Sequence, residues 1–103
     1  MTTLDRLAAT IEARKSADPD SSWTAKLLSK GAQKCAQKFG EEAIEACMAV
    51  AKGDRENLVY ESADVLYHLL VMLAAEDVPL SEVLAELERR EGTSGIAEKA
   101  ARR

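Results

Sequence analysis

The chain has 103 residues, of which 47% are hydrophobic and 31% are charged, and its formal net charge is −4. This length predicts one domain over residues 1–103, with enough apolar material for a packed core. The acidic balance gives no general attraction to phosphate backbones, so no nucleic-acid partner is expected.

The cysteines and apolar runs predict the cellular compartment. Cys35 and Cys47 lie far apart along one predicted helix, where they cannot bridge to each other, and no CxxC motif occurs. We interpret them as free thiols in a reducing compartment. The N-terminus lacks the apolar run of a signal peptide, and the longest apolar stretch, near Leu69–Ala75, is too short to span a bilayer. A cytoplasmic protein without a membrane partner is expected.

The sequence predicts an all-α protein, because strand-like alternation is absent and Ala, Leu, Glu and Lys dominate. Loops are expected at Asp18–Ser22, Asp77–Pro79 and Glu91–Gly95. In chain order, the first four predicted helices cover about Leu4–Lys15, Trp23–Lys30, Ala32–Lys52 and Arg55–Glu76, and Ser22 caps the second of them. A fifth helix begins with Ser81 as its cap and ends near Arg90, and a short or frayed helix covers Ile96–Arg103.

The two longest predicted helices are separated only by Gly53-Asp54, a pair typical of a helix stop followed by an N-cap. We therefore expect these helices to fold back on each other. The segment Val65–Leu73 is apolar almost all round, which predicts burial on several sides. Because so few helices cannot cover it, we expect an antiparallel helical bundle whose core is completed by homodimerisation.

Two carboxylate pairs mark the candidate site. Glu42 and Glu45 are spaced i, i+3 on one long helix, and Glu61 and Asp64 are spaced likewise on the next. Folding around the glycine break places Glu45 opposite Glu61 and Glu42 opposite Asp64, about 12 Å from the turn. Each close pair would repel by about 3–4 kcal/mol at an effective dielectric near 20.

A hard divalent cation would cancel this repulsion, and Mg²⁺, with Mn²⁺ as a possible substitute, suits oxygen-only ligands. The competing interpretation is a solvated acidic face. Against it, the carboxylates form an island on a helix that is otherwise mainly apolar.

Lysines recur every fourth residue, at Lys26, Lys30, Lys34 and Lys38. On a continuous helix this row drifts only about 40° per step and would form a basic ridge leading to Glu42 and Glu45. Such a ridge suits a polyphosphate, and we expect the strongest phosphate contact from Lys38. A solvated basic face is the alternative.

Three further residues each have more than one interpretation. His68, the only histidine, lies one turn beyond Asp64 and is either a substrate contact, a hydrogen-bond partner of a ligand carboxylate, or a packed core histidine. Trp23 either stacks on a base or belongs to the core. Gly40 either permits close approach of a helix or ligand, or is simply tolerated at a cost of about 1 kcal/mol against Ala.

These motifs also resemble a known superfamily. Glu41-Glu42-Ala43-Ile44-Glu45 with Glu61-Ser62-Ala63-Asp64 matches the EExxE…ExxD signature of the all-α, MazG-like NTP pyrophosphatases. Over nearly its whole length the sequence resembles the phosphoribosyl-ATP pyrophosphohydrolase family of histidine biosynthesis. It departs from that family at Trp23, where tyrosine is commoner. The segments that carry this resemblance are Ser22–Leu28, Lys30-Gly31, Gln37–Glu42, Glu61–Leu70 and Gly95–Ala100.

The resemblance implies hydrolysis of phosphoribosyl-ATP between its α- and β-phosphates, by a homodimer in its stand-alone form. It implies that Glu42, Glu45, Glu61 and Asp64 bind Mg²⁺, that Lys38 stabilises phosphate charge, and that Glu41 or a ligand carboxylate accepts the proton. Residues in Ser22–Lys30 would meet the phosphoribosyl or purine end.

Two rival functions remain open. A general (d)NTP pyrophosphatase of the same superfamily would keep the carboxylates and the metal. A non-catalytic helical dimerisation module would use the carboxylates as structural or surface charge.

Overall fold

The computed structural model describes residues 1–92 together with residues 95, 96 and 99. Within residues 1–92 it contains no strand, which confirms the all-α prediction. The predicted tail helix Ile96–Arg103 and the Gly95–Ala100 match lie outside the described residues, apart from residues 95, 96 and 99. The helices are α1 Thr3–Ala13, followed by a 3₁₀ turn at Arg14–Ser16, α2 Trp23–Ser29, α3 Ala32–Lys52, α4 Arg55–Ala75 and α5 Leu80–Arg89.

The helix ends next to the candidate site form as the sequence predicts. The Ser22 hydroxyl accepts a hydrogen bond from the Ala25 N–H at 3.1 Å and begins α2. Gly53 ends α3 in the left-handed conformation, with φ +68, which glycine adopts without a steric penalty. The Asp54 carboxylate then accepts from the Asn57 N–H at 3.0 Å and begins α4.

Two other helix starts differ from the expectation. Ser81 does not cap α5, because the helix already begins at Leu80 with Pro79 in the N-cap position. The backbone of Pro79, at φ −73 and ψ 148, is the extended conformation that leads into a helix. At α1, Thr2 and Asp5 form a reciprocal capping box that was not predicted from the sequence.

The core lies around α4. Helix α3 packs against α4 along its length as an antiparallel hairpin, and α1 and α2 also contact α4. Cys35 is buried and donates a hydrogen bond to the Leu27 carbonyl at 3.3 Å, whereas Cys47 is exposed. Both are free thiols, as predicted. The buried cluster consists of Ile11, Leu27, Cys35, Leu70, Val71 and Ala74.

Large apolar side chains of the hairpin face outward, which leaves the chain with apolar surface that it does not cover itself. Helix α5 adds Leu84 and Leu87 and buries none of its own residues. On α3 and α4 the exposed apolar residues are Ile44, Met48, Val50, Val59, Tyr60 and Leu66.

Helix α4 as a whole is long and apolar enough, by length and composition, to cross a membrane. The expectation drawn from the shorter stretch Leu69–Ala75 does not hold for the complete helix. Core helices of soluble proteins meet the same criterion, and α4 buries Glu61 and His68 among its apolar residues.

Candidate metal centre and active site

The α3–α4 hairpin brings three carboxylates together. Glu42 and Glu45 on α3 and Glu61 on α4 each offer one oxygen, and these oxygens lie within 4.8 Å of one another. The turn sets this register: Glu45 lies eight residues before Gly53, and Glu61 lies eight residues after it. At 1.5 Å per residue both reach the same level, about 12 Å from the turn.

Asp64 takes a different position from the other three. It is half-buried on α4 and offers no oxygen to the group of three. Its charge nevertheless raises the pKa of Glu42, so the two carboxylates are close enough to interact. Among the described carboxylates it is Glu61, and not Asp64, that offers an oxygen close to those of both α3 glutamates.

The cluster is electrostatically unfavourable for three ionised carboxylates. Glu61 is only 8% exposed, and its Oε2 atom has no hydrogen-bond partner among the described residues. The pKa of Glu61 is raised to about 7. The largest cause is burial, and hydrogen bonding to and repulsion from Glu45 and then Glu42 add to it. Burial, followed by the charges of Glu45 and Asp64, raises the pKa of Glu42. Ionisation of the cluster near neutral pH therefore calls for a cation.

The donor set fits a small divalent cation. All three ligands are carboxylate oxygens, the type that Mg²⁺ prefers. Two oxygens on one Mg²⁺ at 2.0–2.1 Å can be at most about 4.2 Å apart, so the observed spacing needs only a small contraction. The unpartnered Oε2 of Glu61 provides a buried lone pair for such an ion.

Glu41 and Lys38 lie beside the cluster but not in it. The Glu41 carboxylate is exposed and accepts hydrogen bonds from Gln37 Nε2 at 2.9 Å and Lys38 Nζ at 3.3 Å. These two hydrogen bonds lower the pKa of Glu41, and the bond from Gln37 has the larger effect. Glu41 is thus held along the outer side of α3, and Lys38 carries its charge one turn before Glu42.

The continuous basic ridge predicted from the lysine spacing is wrong. Gly31, with φ +94, separates α2 from α3, so Lys26 and Lys30 belong to the α2 end while Lys34 and Lys38 lie on α3. Lys30 Nζ instead lies 5.9 Å from the centroid of the Trp23 ring, a cation–π distance.

Trp23 is 54% exposed, so it is not a core residue. Gly40 has open space where a Cβ would lie, so no other part of the described chain approaches it closely.

His68 is packed beside the cluster. It is 6% exposed, its ring meets that of Tyr67 edge-on at 5.0 Å, and its Nδ1 atom has no hydrogen-bond partner among the described residues. Burial and then the Lys38 charge lower the pKa of His68, while Asp64 and Glu41 oppose them. The Tyr67 hydroxyl pairs with Thr24 Oγ1 at 2.5 Å, which ties α2 to the site helix.

An open groove of about 310 Å³ adjoins the carboxylates. Besides Glu45 and Glu61 it is lined by Met48, Lys52 and Asn57, of which the last two were missed by the sequence analysis. Helical spacing contains their signal: Lys52 lies seven residues after Glu45 and Asn57 four before Glu61, so each shares a face with a cluster carboxylate.

Fold and site together define an all-α protein with a carboxylate centre suited to a divalent cation. Residues 4–91 match the family model described as phosphoribosyl-ATP pyrophosphohydrolase. The chain is 76% identical to a phosphoribosyl-ATP pyrophosphatase of Rhodobacter capsulatus, over 99% of both chains. It is 74% identical to the protein of that name from Dinoroseobacter shibae, over 99% of this chain and 100% of the relative.

The chain is also 74% identical, over 102 residues, to a phosphoribosyl-ATP pyrophosphatase of Cereibacter sphaeroides. This match covers 99% of both chains. The chain belongs to the phosphoribosyl-ATP pyrophosphohydrolase family. It is accordingly an enzyme, and its class is that of the hydrolases.

Proposed function

We propose that the chain hydrolyses phosphoribosyl-ATP between its α- and β-phosphates, releasing phosphoribosyl-AMP and pyrophosphate in the second step of histidine biosynthesis. The observation that carries this proposal is the group of three carboxylates whose oxygens lie within 4.8 Å, in a chain that matches the family over residues 4–91. A general (d)NTP pyrophosphatase would need the same centre, and the match outside the carboxylate motifs favours the phosphoribosyl-ATP substrate.

Glu42, Glu45 and Glu61 would hold a divalent cation, Mg²⁺ or Mn²⁺, and Asp64 would add its charge from the Glu42 side. When bound, the cation neutralises phosphate charge and lowers the pKa of water. The carboxylates would hold the cation in place, because two lie on α3 and one on α4 and the Gly53-Asp54 turn sets their register.

The residues beside the cluster would act on the substrate. Lys38 would stabilise negative charge that develops on the phosphates. Glu41 would accept the proton of the attacking water, since it is exposed, lies outside the carboxylate group and is ionised at neutral pH. His68, whose pKa is lowered, would remain neutral and contact the substrate or a ligand carboxylate from α4.

Helix α2 would receive the phosphoribosyl or purine end. Trp23 presents an exposed ring for stacking, with Lys30 beside it, and Lys26 lies exposed on the same helix. Lys34, on the first turn of α3, would contribute positive charge between this end and Lys38. The Thr24–Tyr67 hydrogen bond supports the arrangement, because it anchors α2 against the helix that carries Glu61.

We further propose that residues 1–103 form one domain that works as a homodimer in the cytoplasm. The exposed apolar residues of the hairpin, among them Ile44, Val59 and Tyr60, support a second copy as the missing cover. A monomeric mass in light scattering at micromolar concentration would contradict the dimer.

The function is tested by measuring pyrophosphate release from phosphoribosyl-ATP with and without Mg²⁺, beside ATP and a dNTP panel. Metal-dependent turnover of phosphoribosyl-ATP alone is expected. Turnover of dNTPs instead would keep the carboxylate chemistry and reject the substrate. No turnover of any nucleotide would favour the non-catalytic dimerisation module.

A matched pair of variants tests the site itself. Glu61→Gln should abolish turnover, because it removes one of the three clustered carboxylates. Glu86→Gln on α5, whose carboxylate pairs with Arg89 and Arg90, should retain it. Near-normal turnover in Glu61→Gln would reject Glu61 as a ligand.

A further inference from the structure

The groove at the α3–α4 turn has a role that the carboxylate centre alone does not explain. It is a recess of about 310 Å³ lined by Glu45 and Glu61 at the level of the carboxylates and by Lys52 and Asn57 nearer the turn. Glu61 lines this recess although it is only 8% exposed, and its buried Oε2 has no hydrogen-bond partner among the described residues. A cation held by the carboxylates would therefore border the groove directly.

The end of the groove nearer the turn offers groups that bind anions. Lys52 makes no ion pair with another residue that the structure describes. Asn57 uses its backbone N–H in the Asp54 cap, while its side-chain amide makes no hydrogen bond within the described part of the chain. An ammonium and an amide beside a bound cation suit a phosphate group, whose oxygens accept hydrogen bonds from all of these.

The position of the groove sets a direction along the hairpin. Lys52 lies two helical turns beyond Glu45, about 10 Å along α3, towards the Gly53 turn. Lys38 lies on the opposite side, one turn before Glu42, and α2 with Trp23 precedes it in the chain. Cations thus flank the carboxylates at both ends, as a phosphate chain crossing the centre requires.

We propose that Lys52 and Asn57 bind the β- and γ-phosphates of the substrate and hold the pyrophosphate that leaves. This inference rests on the proposed function, because it assigns one end of that substrate to the groove. The scissile bond lies over the carboxylates, the nucleoside part extends towards Lys38 and α2, and the pyrophosphate points towards the α3–α4 turn. Lys52 is accordingly a specificity residue for a long phosphate chain over a nucleoside monophosphate.

The test is the binding of inorganic pyrophosphate to the whole chain in saturating Mg²⁺, by isothermal titration calorimetry. Lys52→Gln removes a charge-assisted hydrogen bond and should weaken pyrophosphate binding about tenfold. Arg55→Gln is the matched control, because it removes the same charge three residues away, where the side chain lines a different cavity with Val50 and Leu58. It should change the dissociation constant by less than about twofold.

Two further readouts separate the proposal from a structural role for Lys52 at the end of α3. The melting temperature and the Mg²⁺ concentration for half-maximal stabilisation should match wild type in both variants. Lys52→Arg should restore most of the pyrophosphate affinity, and Asn57→Ala supplies an independent weakening if Lys52→Gln does not fold.

Equal pyrophosphate affinity in wild type and Lys52→Gln, equal weakening by Arg55→Gln, or no binding to wild type at millimolar pyrophosphate would each overturn the proposal. Because the titration needs no turnover, its result is independent of the substrate assay. If wild type does not turn over phosphoribosyl-ATP, the proposed function is rejected. If Lys52→Gln leaves the dissociation constant for pyrophosphate unchanged, only the assignment of the groove is rejected.

Discussion

The protonation of Glu61 should control the pH dependence of folding in the metal-free protein. Its pKa is about 7 in the folded chain against 4.5 for an unperturbed glutamate. A raised folded pKa means that the folded state binds the proton more tightly, so stability falls as pH rises through this window. At pH 6 the folded state holds about 0.9 more of a proton at this position than the unfolded chain.

The assay is urea unfolding of wild type and Glu61→Gln in EDTA at intervals from pH 4.5 to 8. The wild-type free energy of unfolding should decline most steeply near pH 6 and level off above pH 7. Position 61 cannot ionise in Glu61→Gln, so the variant should show a shallower decline, due to Glu42, and should gain on wild type as pH rises. Parallel curves for the two proteins would refute the argument that burial and the neighbouring glutamates raise this pKa.

Glu86→Gln provides the control with the opposite sign. Hydrogen bonds from Arg89 and then Arg90 lower the pKa of Glu86 to about 2. Its contribution to stability is therefore complete above pH 4.5 and is lost as pH falls towards 2. Between pH 5 and 8 this variant should run parallel to wild type, with any offset constant.

Three further outcomes are expected. Mg²⁺ at one hundred times its dissociation constant should stabilise wild type by about 2.7 kcal/mol in thermal melts, with a smaller shift at pH 5.5, and should not stabilise Glu45→Gln; equal shifts would exclude Glu45 as a ligand. Leu27→Ala truncates a side chain that is 1% exposed and should lower the free energy of unfolding in urea by about 2–5 kcal/mol. A loss below about 1 kcal/mol would contradict the packing of α2. Gly53→Ala, at φ +68, should lose about 1 kcal/mol in thermal melts, whereas Gly40→Ala, with open space for a Cβ, should gain about as much; the reverse order would mean that a partner or ligand approaches Gly40.

Local signals explain why most of the fold could be predicted. The caps at Ser22 and Asp54 and the stop at Gly53 act within a few residues, so α2, α3 and α4 begin and end where their side chains require. The capping box at Thr2 and the early start of α5 at Leu80 are also local signals; no cap was predicted for α1, and at α5 Ser81 was chosen in place of Pro79.

The sequence by itself determined the hairpin and the meeting of Glu45 with Glu61, because a two-residue turn between straight helices leaves little freedom of register. Only the tertiary structure decided how deeply Glu61 is buried, how far Asp64 stands from the oxygens of the other three, and that Glu41 turns towards Gln37. It also showed that Trp23 is exposed, whereas the interruption of the lysine row at Gly31 was already implied by the predicted helix boundaries. Burial and side-chain direction depend on which distant helices pack together, and helical periodicity carries no information about that choice.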